Sequence, residues 1–183
     1  MRCRVDRAAI RAEPREDAEQ VTQALLGEPL RVDGERAGYL RVVTAYGYPG
    51  WVRADAVEEG EGTLPAARDG SPVAEARSYL GAPYEWGGLT AAGIDCSGLV
   101  HMAYRRLGRL VPRDAYQQEA AGGEVPEPRP GDLVTYGDGR ADHVAFWLGE
   151  GRILHATARD GLGVVEEAEP PELRARRRRI VRL

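Results

Sequence analysis

The stretch Gly93-Ile94-Asp95-Cys96-Ser97-Gly98-Leu99-Val100 decides how the larger part of this chain is read. Leu99, Val100, Ala103 and Leu107 recur at helical spacing, and Gly108 stops the pattern. Asp95 stands just before the stripe and is the expected N-cap. Cys96 then falls in the first turn, where unpaired N–H groups and the helix dipole favour an anion. A thiol in such a place loses its proton more easily. The neighbouring Asp95 carboxylate opposes that, so its expected task is to cap the helix. The plainer alternative is a buried structural thiol. The glycines and serine around Cys96 are poor packing material, which weakens it.

A cysteine nucleophile needs a base, and the base needs an orienting partner. Three histidines are available. His101 lies five residues after Cys96, about 140° around the helix, and is expected on the surface. His143 opens His143-Val144-Ala145-Phe146-Trp147-Leu148, and His155 lies in Arg152-Ile153-Leu154-His155-Ala156-Thr157. Strand side chains alternate faces, so the intervening loop decides whether the two share one. A two-residue loop at Glu150-Gly151 would pair His155 with Phe146 and separate them. A three-residue loop pairs Leu148 with Arg152 and Ala145 with His155, making the histidines diagonal neighbours on one face. The three-residue loop, with Gly151 left-handed, is the expected one. His143 is then the base and His155 its orienter; the alternative is two unrelated strand histidines.

Working outward, Val73 to Leu80 forms a helix ended by Gly81, and a Gly-rich loop runs from Pro83 to Gly93. Strands are expected at 133–136, 143–148, 152–157 and 164–165. The arginine-rich end, Arg176 to Arg179 and on to Leu183, reads as a last strand with a solvated face. Trp86 and Trp147 are expected to pack. Residues 1–60 show about five short strands, with a turn at Asp33-Gly34, which predicts a small all-β barrel. Residues 61–72 form a charged, Gly/Pro-rich linker, and 73–183 a second, α+β domain with helices against a small antiparallel sheet.

The 183 residues carry a net charge of −4, and every basic residue is arginine. That balance argues against a nucleic-acid partner. No apolar run is long enough for a membrane span, and the charge-broken start Met1-Arg2-Cys3-Arg4-Val5 carries no export signal. A cytoplasmic location is therefore expected. Cys3 reads as a small apolar residue of a first strand rather than a disulfide partner of Cys96. The cysteines and histidines lack zinc-ligand spacing, so neither a metal nor another cofactor is expected.

The ordered set Leu80-Gly81-Ala82-Pro83-Tyr84-Glu85-Trp86-Gly87-Gly88, Asp95-Cys96-Ser97-Gly98-Leu99-Val100, Arg113-Asp114, Gly131-Asp132-Leu133-Val134, His143-Val144 and His155-Ala156 resembles the NlpC-type cell-wall peptidases. Gly27-Glu28-Pro29-Leu30 and Gly47-Tyr48-Pro49-Gly50-Trp51-Val52 are similar, more weakly, to the bacterial SH3-like domain that often precedes them. The resemblance implies a papain-like fold and hydrolysis of the bond between γ-D-glutamate and a diamino acid in peptidoglycan stem peptides. It implies Cys96 as nucleophile, His143 as base, His155 as orienter, Tyr84 at the oxyanion, and Asp95 and Ser97 flanking the nucleophile. In members acting on released peptides, an acidic residue and an SH3-domain glutamate and tyrosine hold the amine of N-terminal L-alanine. Asp114, Glu28 and Tyr48 match these. Without the resemblance, Asp114 reads as a helix cap, Glu28 as a solvated turn residue and Tyr48 as a packed aromatic. The expected partner is thus a peptidoglycan-derived peptide. Alternatives are a secreted hydrolase of polymeric peptidoglycan, a non-catalytic wall-binding protein and a thiol acyltransferase. The sequence does not set the oligomeric state.

Overall fold

The computed structural model describes all 183 residues, which divide into two compact units, Met1–Ala66 and Ala67–Leu183. The first is built of strands β1 (Arg2–Cys3), β2 (Arg7–Arg11), β3 (Gln20–Leu25), β4 (Leu30–Arg36), β5 (Tyr39–Thr44), β6 (Pro49–Arg53) and β7 (Val57–Glu58). Five of them form an antiparallel sheet in the order β3-β2-β6-β5-β4, and β1 pairs with β7. Alternation places Ile10, Ala24, Leu30, Val42 and Val52 inside, together with Cys3. Cys3 is a buried free thiol, as is Cys96.

The turn expected at Asp33-Gly34 lies elsewhere. β4 runs through those residues with a bulge between Val32 and Gly34, and the chain reverses at Ala37-Gly38. Both have positive φ, 51° and 76°, the backbone a two-residue hairpin loop requires. The Asp-Gly signal marks an extra residue in the strand instead of its end.

The second unit contains α1 (Pro72–Arg77), β8 (Leu89–Thr90), β9 (Gly93–Ile94), α2 (Cys96–Arg106), α3 (Ala115–Ala121), β10 (Gly123–Glu124), β11 (Leu133–Tyr136), β12 (His143–Gly149), β13 (Arg152–Thr157), β14 (Gly163–Ala168), α4 (Pro171–Ala175) and β15 (Arg177–Arg182). Its main sheet is antiparallel, in the order β10-β15-β11-β12-β13-β14. On α2 every residue from Cys96 to Arg105 is buried. Helix α1 and strands β12 and β13 pack on it, and Tyr104 stacks on Phe146 of β12 with ring centroids 6.3 Å apart.

That enclosure overturns the expectation for His101. It is fully buried, with Nδ1 2.7 Å from the Val111 carbonyl oxygen. A helical wheel separates faces only when one of them meets water, and α2 has no such face. The arginine run forms the last strand, β15, and its solvent-facing arginines are also ion-paired. Arg176 pairs with Asp138 and Asp142, Arg177 with Glu169, Arg178 with Glu119, Arg179 with Glu124 and Arg182 with Asp132.

Candidate active site

Asp95 caps α2 as expected, its Oδ1 accepting the Gly98 N–H at 2.7 Å. It does considerably more. Its Oδ2 accepts the Gly87 N–H at 2.7 Å, drawing the Gly-rich loop onto the helix. Arg113 grips both oxygens, at 2.9 and 2.8 Å, and also donates to Ser97 Oγ at 2.9 Å and to the Gly88 carbonyl at 3.3 Å. Both charges are sealed, with side-chain exposures of 1 % for Arg113 and 6 % for Asp95. Buried charges persist only when paired and hydrogen-bonded. This clamp therefore ties the loop, the helix N-terminus and the segment before α3 together. The sequence offered Arg113 only as part of a motif, with no role.

The close approach explains two glycines. A Cβ on Gly98 would lie 2.4 Å from the Gly88 carbonyl oxygen, and one on Gly88 would lie 2.4 Å from the Gly93 carbonyl oxygen. Neither backbone oxygen can swing aside, so only glycine fits. Tyr84 is held in the same loop by a parallel bridge to Ile94. Burial first, then the fields of Cys96 and Asp95, push its hydroxyl well above the ordinary phenol range, so it stays a neutral donor.

The β12–β13 connection is not the three-residue loop expected. Gly149 pairs with Arg152, so the loop is the two residues Glu150-Gly151, at φ 52° and 70°. A bulge between Trp147 and Gly149 then shifts the register by one, giving Trp147 opposite Ile153 and Phe146 opposite Leu154. Carried one step on, Ala145 faces His155. The bulge restores the parity that a two-residue loop alone would have broken, and the two histidines share a face. His143 Nε2 lies 2.8 Å from His155 Nδ1, with the rings nearly perpendicular at 79°. Tyr136, directly opposite His143 on β11, flanks its ring at 5.7 Å. His155 Nε2 in turn lies 2.9 Å from Glu167 Oε1 on β14, a contact that the sequence reading missed.

The β12–β13 ladder stops at Phe146–Leu154, and the backbone N–H groups of Val144 and Ser97 favour the Cys96 thiolate. Helix α2, which Cys96 opens, packs on β12, which His143 opens. Burial first, then the Asp95 carboxylate, pushes the Cys96 thiol up to about 12, against the pull of those N–H groups and Arg113. Burial first, then His155 and Arg176, lowers His143 to about 3. Burial thus favours the neutral form of both the thiol and the imidazole.

The other expected site residues are scattered. Ser97 is buried and turned toward Arg113 and Asp95. Asp114 is the N-cap of α3, its N–H donating to Gln117 Oε1 at 3.1 Å. In the first unit Glu28 is buried, not solvated. Tyr48 is half-buried, its ring 6.4 Å from that of Tyr46 and its N–H donating to Thr44 Oγ1 at 3.0 Å. Trp147 packs, with Arg177 over its ring at 5.4 Å. Trp86, expected to pack as well, is 57 % exposed. Among the His, Cys, Asp and Glu side chains, no group of three or more could hold a metal ion.

Comparison with known proteins agrees with this geometry. The profile of the NlpC/P60 family matches residues 81–174, just over half of the chain, and that of the bacterial dipeptidyl-peptidase Sh3 domain matches residues 10–57. The chain is 35 % identical over 127 residues to the gamma-D-glutamyl-L-lysine dipeptidyl-peptidase of Bacillus subtilis, covering 65 % of this chain and 41 % of that protein. It is 38 % identical over 104 residues to the peptidoglycan endopeptidase RipB of Mycobacterium tuberculosis, covering 49 % and 43 %. It therefore spans less than half the length of these relatives. A crystal structure of an NlpC/P60 family protein from Bacillus cereus superposes with a TM-score of 0.58 at 24 % identity, over 98 % of this chain and 61 % of that one, which speaks for the fold alone. With its motifs, helix-borne cysteine and paired histidines all in that frame, the chain belongs to the NlpC/P60 family.

Proposed function

We propose that this protein is a cysteine peptidase that hydrolyses the γ-D-glutamyl–diamino acid bond of released peptidoglycan stem peptides with a free N-terminal L-alanine. The observation that carries the chemistry is the packing of α2, which Cys96 opens, on β12, which opens with a His143 hydrogen-bonded to His155.

In the first step the Cys96 sulfur bonds to the γ-carbonyl carbon and its proton passes to His143. Backbone N–H groups of the first turn of α2, with the Tyr84 hydroxyl, receive the oxyanion. His143 then protonates the departing amine as the C–N bond breaks, leaving a thioester. Water, deprotonated by His143, cleaves that thioester and regenerates the thiol. Asp95 and Arg113 hold the scaffold without entering the reaction.

Two comparisons support the preference for small released peptides: the dipeptidyl-peptidase Sh3 domain profile over residues 10–57 and the similarity to the Bacillus subtilis dipeptidyl-peptidase. Holding the free amine is proposed for Asp114, since an ammonium leaving water needs a carboxylate partner. The test compares L-Ala-γ-D-Glu-diaminopimelate with the same peptide acylated at its N-terminus. We expect only the first to be cut, and Cys96→Ala to cut neither. Equal cleavage of both would remove the amine-selection claim. Cleavage of neither by the unaltered protein would leave wall binding or acyl transfer in its place.

A further inference from the structure

We propose that Glu167, clamped by Arg159, is a positioning residue that dictates which nitrogen of each active-site histidine carries a proton. The claim rests on the proposed roles of Cys96 and His143. Its geometry runs from the surface inward. Val165 of β14 pairs with His155 of β13, so Glu167, two residues on, shares that face. Its Oε1 sits 2.9 Å from His155 Nε2. Arg159, in the turn after β13, donates one nitrogen to both Glu167 oxygens at 2.5 Å and the other to Glu172 Oε1 of α4 at 2.9 Å. The His155 side chain is 1 % exposed and that of Glu167 22 %, so water cannot easily replace the contact.

A carboxylate in an ion pair only accepts hydrogen bonds, and a neutral imidazole has one donor and one acceptor nitrogen. His155 Nε2 must therefore carry its proton toward Glu167, and His155 Nδ1 must present a lone pair. That lone pair can bind His143 only if His143 Nε2 is protonated, at the observed 2.8 Å. His143 Nδ1 is then the proton acceptor, the state a general base requires. Without Glu167 nothing distinguishes this arrangement from its mirror, in which His143 Nδ1 carries a proton and cannot accept another.

The charges around the relay also set its proton affinity. Glu167 raises that of His155 and Arg159 lowers it, while Arg176 lowers that of His143. Glu172 acts through Arg159, and the Cys96 thiol is neutral until attack. Removing Glu167 and removing Arg159 should therefore move the acid limb of the rate profile in opposite directions, which a merely structural role would not do.

The experiment uses the full chain as wild type, Glu167→Ala, Glu167→Gln and Arg159→Gln. Nitrogen-15 spectra of the histidine side chains read the tautomers, and kinetics on the free peptide read kcat, KM and the pH profile. In wild type, Nε2 should carry the proton in both His143 and His155. In Glu167→Ala the tautomers should mix, with kcat falling roughly 10- to 100-fold, as for other orienting partners of a histidine, and KM unchanged. Its acid limb should shift to lower pH, and that of Arg159→Gln to higher pH. Glu167→Gln, whose amide oxygen still accepts from Nε2, should regain part of kcat. Wild-type tautomers and an unshifted profile in Glu167→Ala would overturn the proposal. If the unaltered protein cleaves no peptide, the peptidase reading fails, yet the spectra still decide whether Glu167 sets the tautomers.

Discussion

Arginine–carboxylate pairs serve two regions of the second unit in different ways. At the start of α2, Asp95 and Arg113 are both sealed, with side-chain exposures of 6 % and 1 %. Near β15, in the pairs of Glu169 and Asp132, only the carboxylate is sealed. The Glu169 side chain is 0 % exposed, but its partners Arg174 and Arg177 are 62 % and 32 % exposed. The Asp132–Arg182 pair is built alike. At β15 each guanidinium keeps much of its hydration while its stem covers apolar surface, and loss of one cation can be answered by water or by a second arginine. At α2 the loss of Arg113 strands a carboxylate in the interior next to Cys96. One region tolerates change and the other does not, although both consist of the same two residue types.

The sharpest way to break this contrast is Arg113→Met. It should destabilise the protein by about 3–5 kcal/mol, the cost of leaving a buried charge unpaired, and abolish peptide cleavage. Denaturant unfolding reads the first effect, and Asp95→Asn in the same chain should return part of the stability. A loss below about 1 kcal/mol would erase the distinction.

His101 tests the same sealing by pH. Burial first, then the nearby Arg113 charge, lowers its pKa to about 3. An unfolded chain binds that proton near pH 6.5, so the unfolded state carries more protons between 6.5 and 3. Stability should therefore fall as pH drops through this window, by about 1.4 kcal/mol for each unit. His101→Asn, which keeps a donor toward Val111, should flatten the decline by roughly 3 kcal/mol between pH 6.5 and 4, read by unfolding curves at stepped pH. An unchanged slope would mean that His101 does not titrate as a sealed group.

The smallest effects belong to β15. Arg174→Ala should cost within about 1 kcal/mol, and Arg177→Ala about 1–2 kcal/mol through its hydrogen bonds to a buried carboxylate. The double variant leaves Glu169 with Tyr136 as its remaining partner among these and should cost more than the sum. Strict additivity would show that the two arginines do not substitute for one another.

Several features of the site were readable because they obey short-range rules. Asp95 precedes an apolar helical stripe, and the cap with Cys96 behind it follows directly. The face shared by His143 and His155 was also readable, although for an incomplete reason. The two-residue loop and the bulge near Leu148 each reverse parity, and together they give the face that a three-residue loop would have given. Nothing local distinguishes those two routes, because a bulge is chosen by how the strand must bend over its neighbours. His101 failed for a related reason, since a helical wheel presumes one wet face and α2 has none.

From the amino-acid sequence alone came the two-part architecture, the helix that Cys96 opens and its Asp95 cap. These rest on hydrophobic periodicity, capping chemistry and an ordered motif, all encoded within a few turns of chain. What holds them in place emerged from the folded molecule. Arg113 reaches Asp95 across 18 residues, and Glu167 reaches His155 across 12. Such pairs form where elements are folded together, and a long flexible side chain gives no periodic sign of the charge it will meet. The interior must neutralise every charge it encloses, and which partner does so is settled by packing.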